Sequence, residues 1–122
     1  MNKFDISKLE ESVREVPDFP KPGIKFKDIT PILINPKLLS MSVEALASHV
    51  DSSSIDKIIG IDARGFIFGS LLANLLGKGF IPVRKEGKLP WQTESQAYEL
   101  EYGKSVIEIH KDSIDPGERI LI

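Results

Sequence analysis

Cysteine is absent from the 122 residues, and histidine occurs only as His49 and His110. Disulfides and thiolate metal centres are therefore excluded, and two isolated imidazoles cannot build a histidine-rich metal site. Charge of one sign is also lacking, since 16 basic residues face 18 acidic ones. No global field would gather a nucleic acid or an anionic membrane, so any anion must be held by local clusters. No apolar run reaches the roughly 18 residues of a transmembrane span, and the amino terminus carries no signal-peptide pattern. These absences lead to the expectation of a soluble, cytoplasmic chain that engages neither nucleic acid nor membrane.

What is present suffices for a modest core. A chain of 122 residues with 41% apolar content falls in the range of one domain, and a single domain over 1–122 is expected. Ser7-Lys8-Leu9-Glu10 fits a capping box, and Ile6, Leu9, Val13 and Val16 recur at helical spacing until Pro17. Pro17, Pro20, Pro22 and Gly23 then predict an extended, ordered arm running to Pro31, with Phe19, Ile24, Phe26 and Ile29 interleaved among charges. Asn35-Pro36 supplies an N-cap and a first-turn proline for a helix marked by Leu39, Val43, Leu46 and Val50.

Lys57 to Ile61 reads as a short apolar strand, the stretch from Phe66 to Gly77 as a helix, and Gly79 to Val83 as a second strand. Gly69, Ser70 and Ala73 are small enough to let that helix lie close on a sheet. Strand, helix and strand in this order predict a right-handed βαβ unit and hence a parallel sheet. Lys85 to Thr93 is expected to be loop, and Ala97 to Ile109 a β-hairpin turning near Tyr102-Gly103-Lys104. After the turn signal Asp115-Pro116-Gly117, Arg119 to Ile122 reads as a further strand entering the sheet.

The chemistry gathers where the first two sheet strands end. Asp62-Ala63-Arg64-Gly65 occupies a strand-to-helix turn, whose free N–H groups favour an anion and to which Arg64 adds a fork of donors. The same residues would also serve as an ordinary connection, with Asp62 as helix cap and Arg64 solvated. The second strand delivers Arg84-Lys85-Glu86-Gly87-Lys88, three cations in five residues, to the adjacent carboxyl end, where parallel-sheet folds place their ligands. Solvated surface is the alternative for such a run, and for Lys88 taken singly it is the simpler one.

Four blocks then resemble one family. They are Val16 to Pro31 (VPDFPKPGIKFKDITP), Gly60 to Phe66 (GIDARGF), Val83 to Pro90 (VRKEGKLP) and Tyr98 to Lys104 (YELEYGK). In this order they resemble the adenine phosphoribosyltransferases over essentially the whole chain. The resemblance implies an α/β fold of the type I phosphoribosyltransferase kind, a parallel sheet flanked by helices with a β-hairpin hood. Residues 1–34 would form the amino-terminal helix and adenine-side arm, and 91–110 the flexible hood.

It further implies that Phe26 stacks on adenine while the main chain at Lys25 and Lys27 reads the edge of the base. Asp62, Ala63 and Arg64 would form a pyrophosphate loop, often with a strained peptide that turns an N–H toward the ligand. Arg84, Lys85 and Lys88 would hold the pyrophosphate oxygens. Glu101 and Tyr102 match the catalytic, proton-handling glutamate and its neighbour. The implied reaction joins adenine to phosphoribosyl pyrophosphate, giving AMP and pyrophosphate. Magnesium would be bound mainly through the substrate rather than by protein ligands, and the protein would be a homodimer.

Without the family, Phe26 would read as a core aromatic and Glu101 as a solvated hairpin carboxylate. The resemblance also predicts acidic residues and a ribose-phosphate loop after the strand at Arg119 to Ile122. The expectation is thus a fold whose carboxyl-terminal part is missing and a chain weak or inactive alone. Two competing readings are a non-catalytic purine or phosphoribosyl-pyrophosphate regulator on the same fold and a ligand-free folding fragment.

Overall fold

The computed structural model of the chain describes residues 5–100 and 103–122. Two compact units emerge, Met1–His49 and Val50–Ile122.

In the first unit, helix α1 (Ile6–Ser12) is capped by Asp5, whose carboxylate accepts from Lys8 N at 3.2 Å and from Ser7 Oγ at 2.6 Å. Ser7 is therefore a partner of the cap rather than the cap itself. The helix also ends earlier than the spacing of Val13 and Val16 predicts. Strand β1 (Arg14–Pro17) instead pairs antiparallel with β2 (Lys25–Asp28), placing Val16 opposite Phe26. Cross-strand partners explain the override, because Arg14 meets Asp28 at 3.4 Å and Glu15 receives both Lys25 and Lys27.

The proline-rich connection closes through Asp18, which has φ 56° and accepts from Gly23 N at 2.8 Å. A short helix α2 (Thr30–Leu33) follows. Helix α3 (Pro36–Ala47) starts as the sequence predicts, with the Asn35 side chain accepting from Lys37 N and Leu38 N. Ile32 of α2 and Val43 and Ala45 of α3 are buried.

The second unit is built on a five-stranded sheet in the order β5-β6-β4-β3-β7. Strands β3 (Lys57–Ile61) and β4 (Gly79–Lys85) are parallel, with Ile61 opposite Val83, and α4 (Arg64–Leu76) connects them. Strands β5 (Thr93–Leu100) and β6 (Gly103–His110) form the hairpin, and β6 joins β4 antiparallel through Arg84 opposite Glu108 and Lys85 opposite Ile107. The sheet is thus mixed, and Lys85 lies in a strand rather than in the predicted loop. Strand β7 (Ile120–Leu121) adds to β3 in parallel. It is tied there by Asp56, which accepts from Arg119 N at 2.7 Å, and by a 2.7 Å ion pair between Lys57 and Glu118.

Helix α4 lies close against the sheet because glycines line the contact. A Cβ on Gly60 would collide with the Gly65 carbonyl oxygen and stand 2.7 Å from Phe80 Cε1, while one on Gly69 would stand 2.8 Å from the same ring atom. Ile58, Leu72 and Ala73 are buried, and Ile81 and Val83 are buried within β4. Burial of each such aliphatic side chain contributes about 1.5–3 kcal/mol. Among the described residues no helix is long and apolar enough to cross a membrane.

Gly60→Ala is expected to lower unfolding stability by at least about 1–3 kcal/mol, since the backbone it strikes cannot swing aside. Gly79→Ala, whose Cβ would meet only Lys57 Cγ at an ordinary 3.6 Å, should change it by less than about 1 kcal/mol. Denaturant midpoints of the two variants check this, and equal effects would contradict the close-packing account.

Candidate active site

In the first unit, Phe26 is half-buried on β2 and meets Phe19 edge-to-face, with ring centroids 5.1 Å apart at 75°. Strand alternation sends the Lys25 and Lys27 side chains to the opposite face, where both reach Glu15. The Lys27 hydrogen bond, then the charges of Lys27 and Lys25, hold the Glu15 carboxyl below its ordinary value. Their lysine charges are thus engaged with a carboxylate. In an extended strand, main-chain groups two residues apart point to the same side, so Lys25 and Lys27 present theirs together.

The second unit places the remaining described candidates at adjacent strand ends. Asp62 leaves β3 with its N–H donating to the Val83 carbonyl at 2.9 Å, and the Asp62–Ala63 peptide bond is cis. Ala63 is the N-cap of α4 and makes no side-chain capping bond, so the first-turn N–H groups have no capping acceptor. Asp62 does not cap the helix either. Its carboxylate accepts from Arg84 Nε at 3.2 Å, and the Arg84 guanidinium lies 5.8 Å from the centre of the Phe66 ring. Arg64, Lys85 and Lys88 are exposed, and among the described residues their side chains have no hydrogen-bond or ion-pair partner.

Lys85 to Lys88 form a turn in which Lys88 N donates to the Lys85 carbonyl at 3.2 Å and Gly87 has φ +83°. That φ at the third position is the one a type II turn needs and glycine supplies. Gly87 N–H is left free by the turn and donates to Glu108 Oε1 at 2.8 Å. Glu108 Oε2 accepts from Thr93 Oγ1 at 2.8 Å and from Ser95 Oγ at 3.2 Å. The Gly87 hydrogen bond first, and then the Thr93 one, hold the Glu108 carboxyl below its ordinary value. Nothing was assigned to Glu108 from sequence. The available signal was a carboxylate amid the apolar run Val106, Ile107 and Ile109. Glu101 and Tyr102 lie outside the described residues.

No family model matches the chain. The crystal structure of adenine phosphoribosyltransferase from Thermoanaerobacter pseudethanolicus superposes with a TM-score of 0.90 at 51% identity, covering 95% of this chain and 67% of that one. The chain belongs to the adenine phosphoribosyltransferase family. Another member, the Saccharomyces cerevisiae enzyme complexed with an imino-altritol bisphosphate and adenine, matches with a TM-score of 0.89 at 41% identity, covering 93% of this chain and 67% of that one. Adenine phosphoribosyltransferase of Yersinia pseudotuberculosis (serotype O:1b) is 51% identical over 114 residues, 93% of this chain. The chain spans 61% of the length of that relative. The phosphoribosyltransferase-type sheet and its hairpin are thereby the family's own architecture.

The Phe19–Phe26 contact gives the first test. Phe19→Leu should cost about 0.5–1.5 kcal/mol beyond the area lost and shift the Phe26 ring-proton resonances as the neighbouring ring current disappears. Unchanged Phe26 resonances would contradict the packing described.

Proposed function

We propose that this protein transfers the 5-phosphoribosyl group from phosphoribosyl pyrophosphate to adenine, giving AMP and pyrophosphate in purine salvage. The observation that carries the reading is the convergence of Asp62-Ala63-Arg64 and the Arg84–Lys88 segment at neighbouring ends of two parallel strands. An anion there would meet uncapped helix N–H groups together with ammonium groups that have no partner among the described residues.

Adenine would stack on Phe26, a contact worth about 1–3 kcal/mol, with the Lys25 and Lys27 main chain reading the base edge. The phosphoribosyl pyrophosphate would take its pyrophosphate to Ala63, Arg64, Lys85 and Lys88. Arg84 would turn from Asp62 toward the ligand. As the bond to pyrophosphate breaks, negative charge grows on the leaving oxygens, and pre-placed cations stabilise that charge more than the ground state. Glu101, with Tyr102 beside it, would exchange a proton with the purine ring.

Among the described residues no three His, Cys, Asp or Glu side chains converge on a metal position. Magnesium would be carried mainly by substrate oxygens, as this ion commonly is. When bound, the ion would neutralise part of the pyrophosphate charge. A homodimer and a cytoplasmic location complete the proposal.

Adenine at about 100 times its Kd should add about 2.7 kcal/mol of apparent stability, and Phe26→Ala should cut the gain to about 0.3–1.8 kcal/mol at the same adenine concentration. No thermal shift with the unsubstituted chain would contradict adenine binding. The reaction is tested by AMP formation from adenine, phosphoribosyl pyrophosphate and magnesium, with a drop of at least about 100-fold expected in Glu101→Ala. Adenine binding with no AMP formed would instead favour a regulator on the same fold.

A further inference from the structure

The geometry points to Glu108 as a positioning residue that holds the basic turn Lys85–Lys88 in shape to grip pyrophosphate, an inference that rests on the function proposed above. Two lysines at the first and fourth positions of one turn have Cα atoms within about 7 Å of each other. Their ammonium groups repel, and no described carboxylate pairs with either. That repulsion works toward opening the turn.

Besides the turn's own bond from Lys88 N to the Lys85 carbonyl, two bonds oppose this. Glu86 N donates to the Val106 carbonyl at 3.0 Å, and Gly87 N donates to the Glu108 carboxylate at 2.8 Å. The second is charge-assisted and so the stronger kind. The other oxygen of Glu108 is fixed by Thr93 and Ser95, the first and third residues of β5. One carboxylate thus joins the turn to both strands of the hairpin.

The role differs from a bulk charge effect in sign. Glu108 is an anion near a proposed anion site, so removing its charge should by electrostatics alone tighten pyrophosphate binding. Removing an anchor should weaken it. Magnesium pyrophosphate titrated calorimetrically into the unsubstituted chain, Glu108→Gln and Glu108→Ala separates the two. A Kd raised roughly ten-fold in Glu108→Ala is expected. Glu108→Gln keeps the volume and one acceptor for Gly87 N–H, and it should fall in between. It also carries the test should the alanine variant fail to fold.

A second readout is the Gly87 amide proton. The folded Glu108 carboxyl titrates below its ordinary 4.5. The anchor is therefore fully present above pH 4.5 and is lost as pH falls through the lowered value. The Gly87 resonance should follow that titration in the unsubstituted chain and lose that step in Glu108→Gln, where Glu86, bonded to Gly87, is the neighbouring carboxyl that remains. Unchanged or tighter pyrophosphate binding in both variants, or a Gly87 amide that ignores acidification, overturns the role of Glu108. Absence of pyrophosphate binding by the unsubstituted chain overturns the reading of the site itself, and the Gly87 titration then decides the anchor separately.

Discussion

The parallel pairing of β3 with β4 is the constraint on which the second unit depends. Once Ile61 stands opposite Val83, Asp62 and Arg84 leave the sheet as neighbours. The Asp62 N–H bond to the Val83 carbonyl and the Arg84 bond to the Asp62 carboxylate then follow from register rather than from any property of the loops. A one-residue slip would send Arg84 to the other face of the sheet and separate it from Asp62. Parallel strands require a crossover, and α4 supplies it, with its uncapped amino-terminal turn at the same end. Fold and proposed anion site are here two consequences of one pairing.

The helix can play this part only because its contact with the sheet is made by residues with little or no side chain. Gly60, Gly65 and Gly69 bring backbone against backbone, and the Phe80 ring fills the space that remains. The second strand is equally specific. By running on to Lys85 it takes β6 as an antiparallel partner, so the hairpin grows directly from the strand that carries the cations. Glu108 sits at that junction, bonded to the turn on one side and to β5 on the other.

Features set by local chemistry were legible in the sequence. Asn35 caps α3, Gly77 ends α4, and the strands at Lys57–Ile61 and Gly79–Val83 stand where apolar runs placed them. The position of Asp62 and Arg84 at neighbouring strand ends was legible for the same reason, since strand ends in βαβ units are recognisable from pattern. What escaped was decided by distant partners. Val13 and Val16 keep helical spacing, yet β1 forms because Lys25–Asp28 offers a ladder and countercharges. Lys85 reads as a loop cation until β6 pairs with it. The contact of Asp62 with Arg84, and the three bonds of Glu108, join residues far apart along the chain and leave no local signature.

The central claim is that the turn after β3 and the turn after β4 form one anion site. The most direct measurement follows the backbone amide resonances while magnesium pyrophosphate is added. The account predicts that Ala63, Arg64 and Gly65 shift together with Lys85 to Lys88, along one saturation curve with a single Kd. Shifts confined to one of the two turns, or two curves with different midpoints, would contradict it.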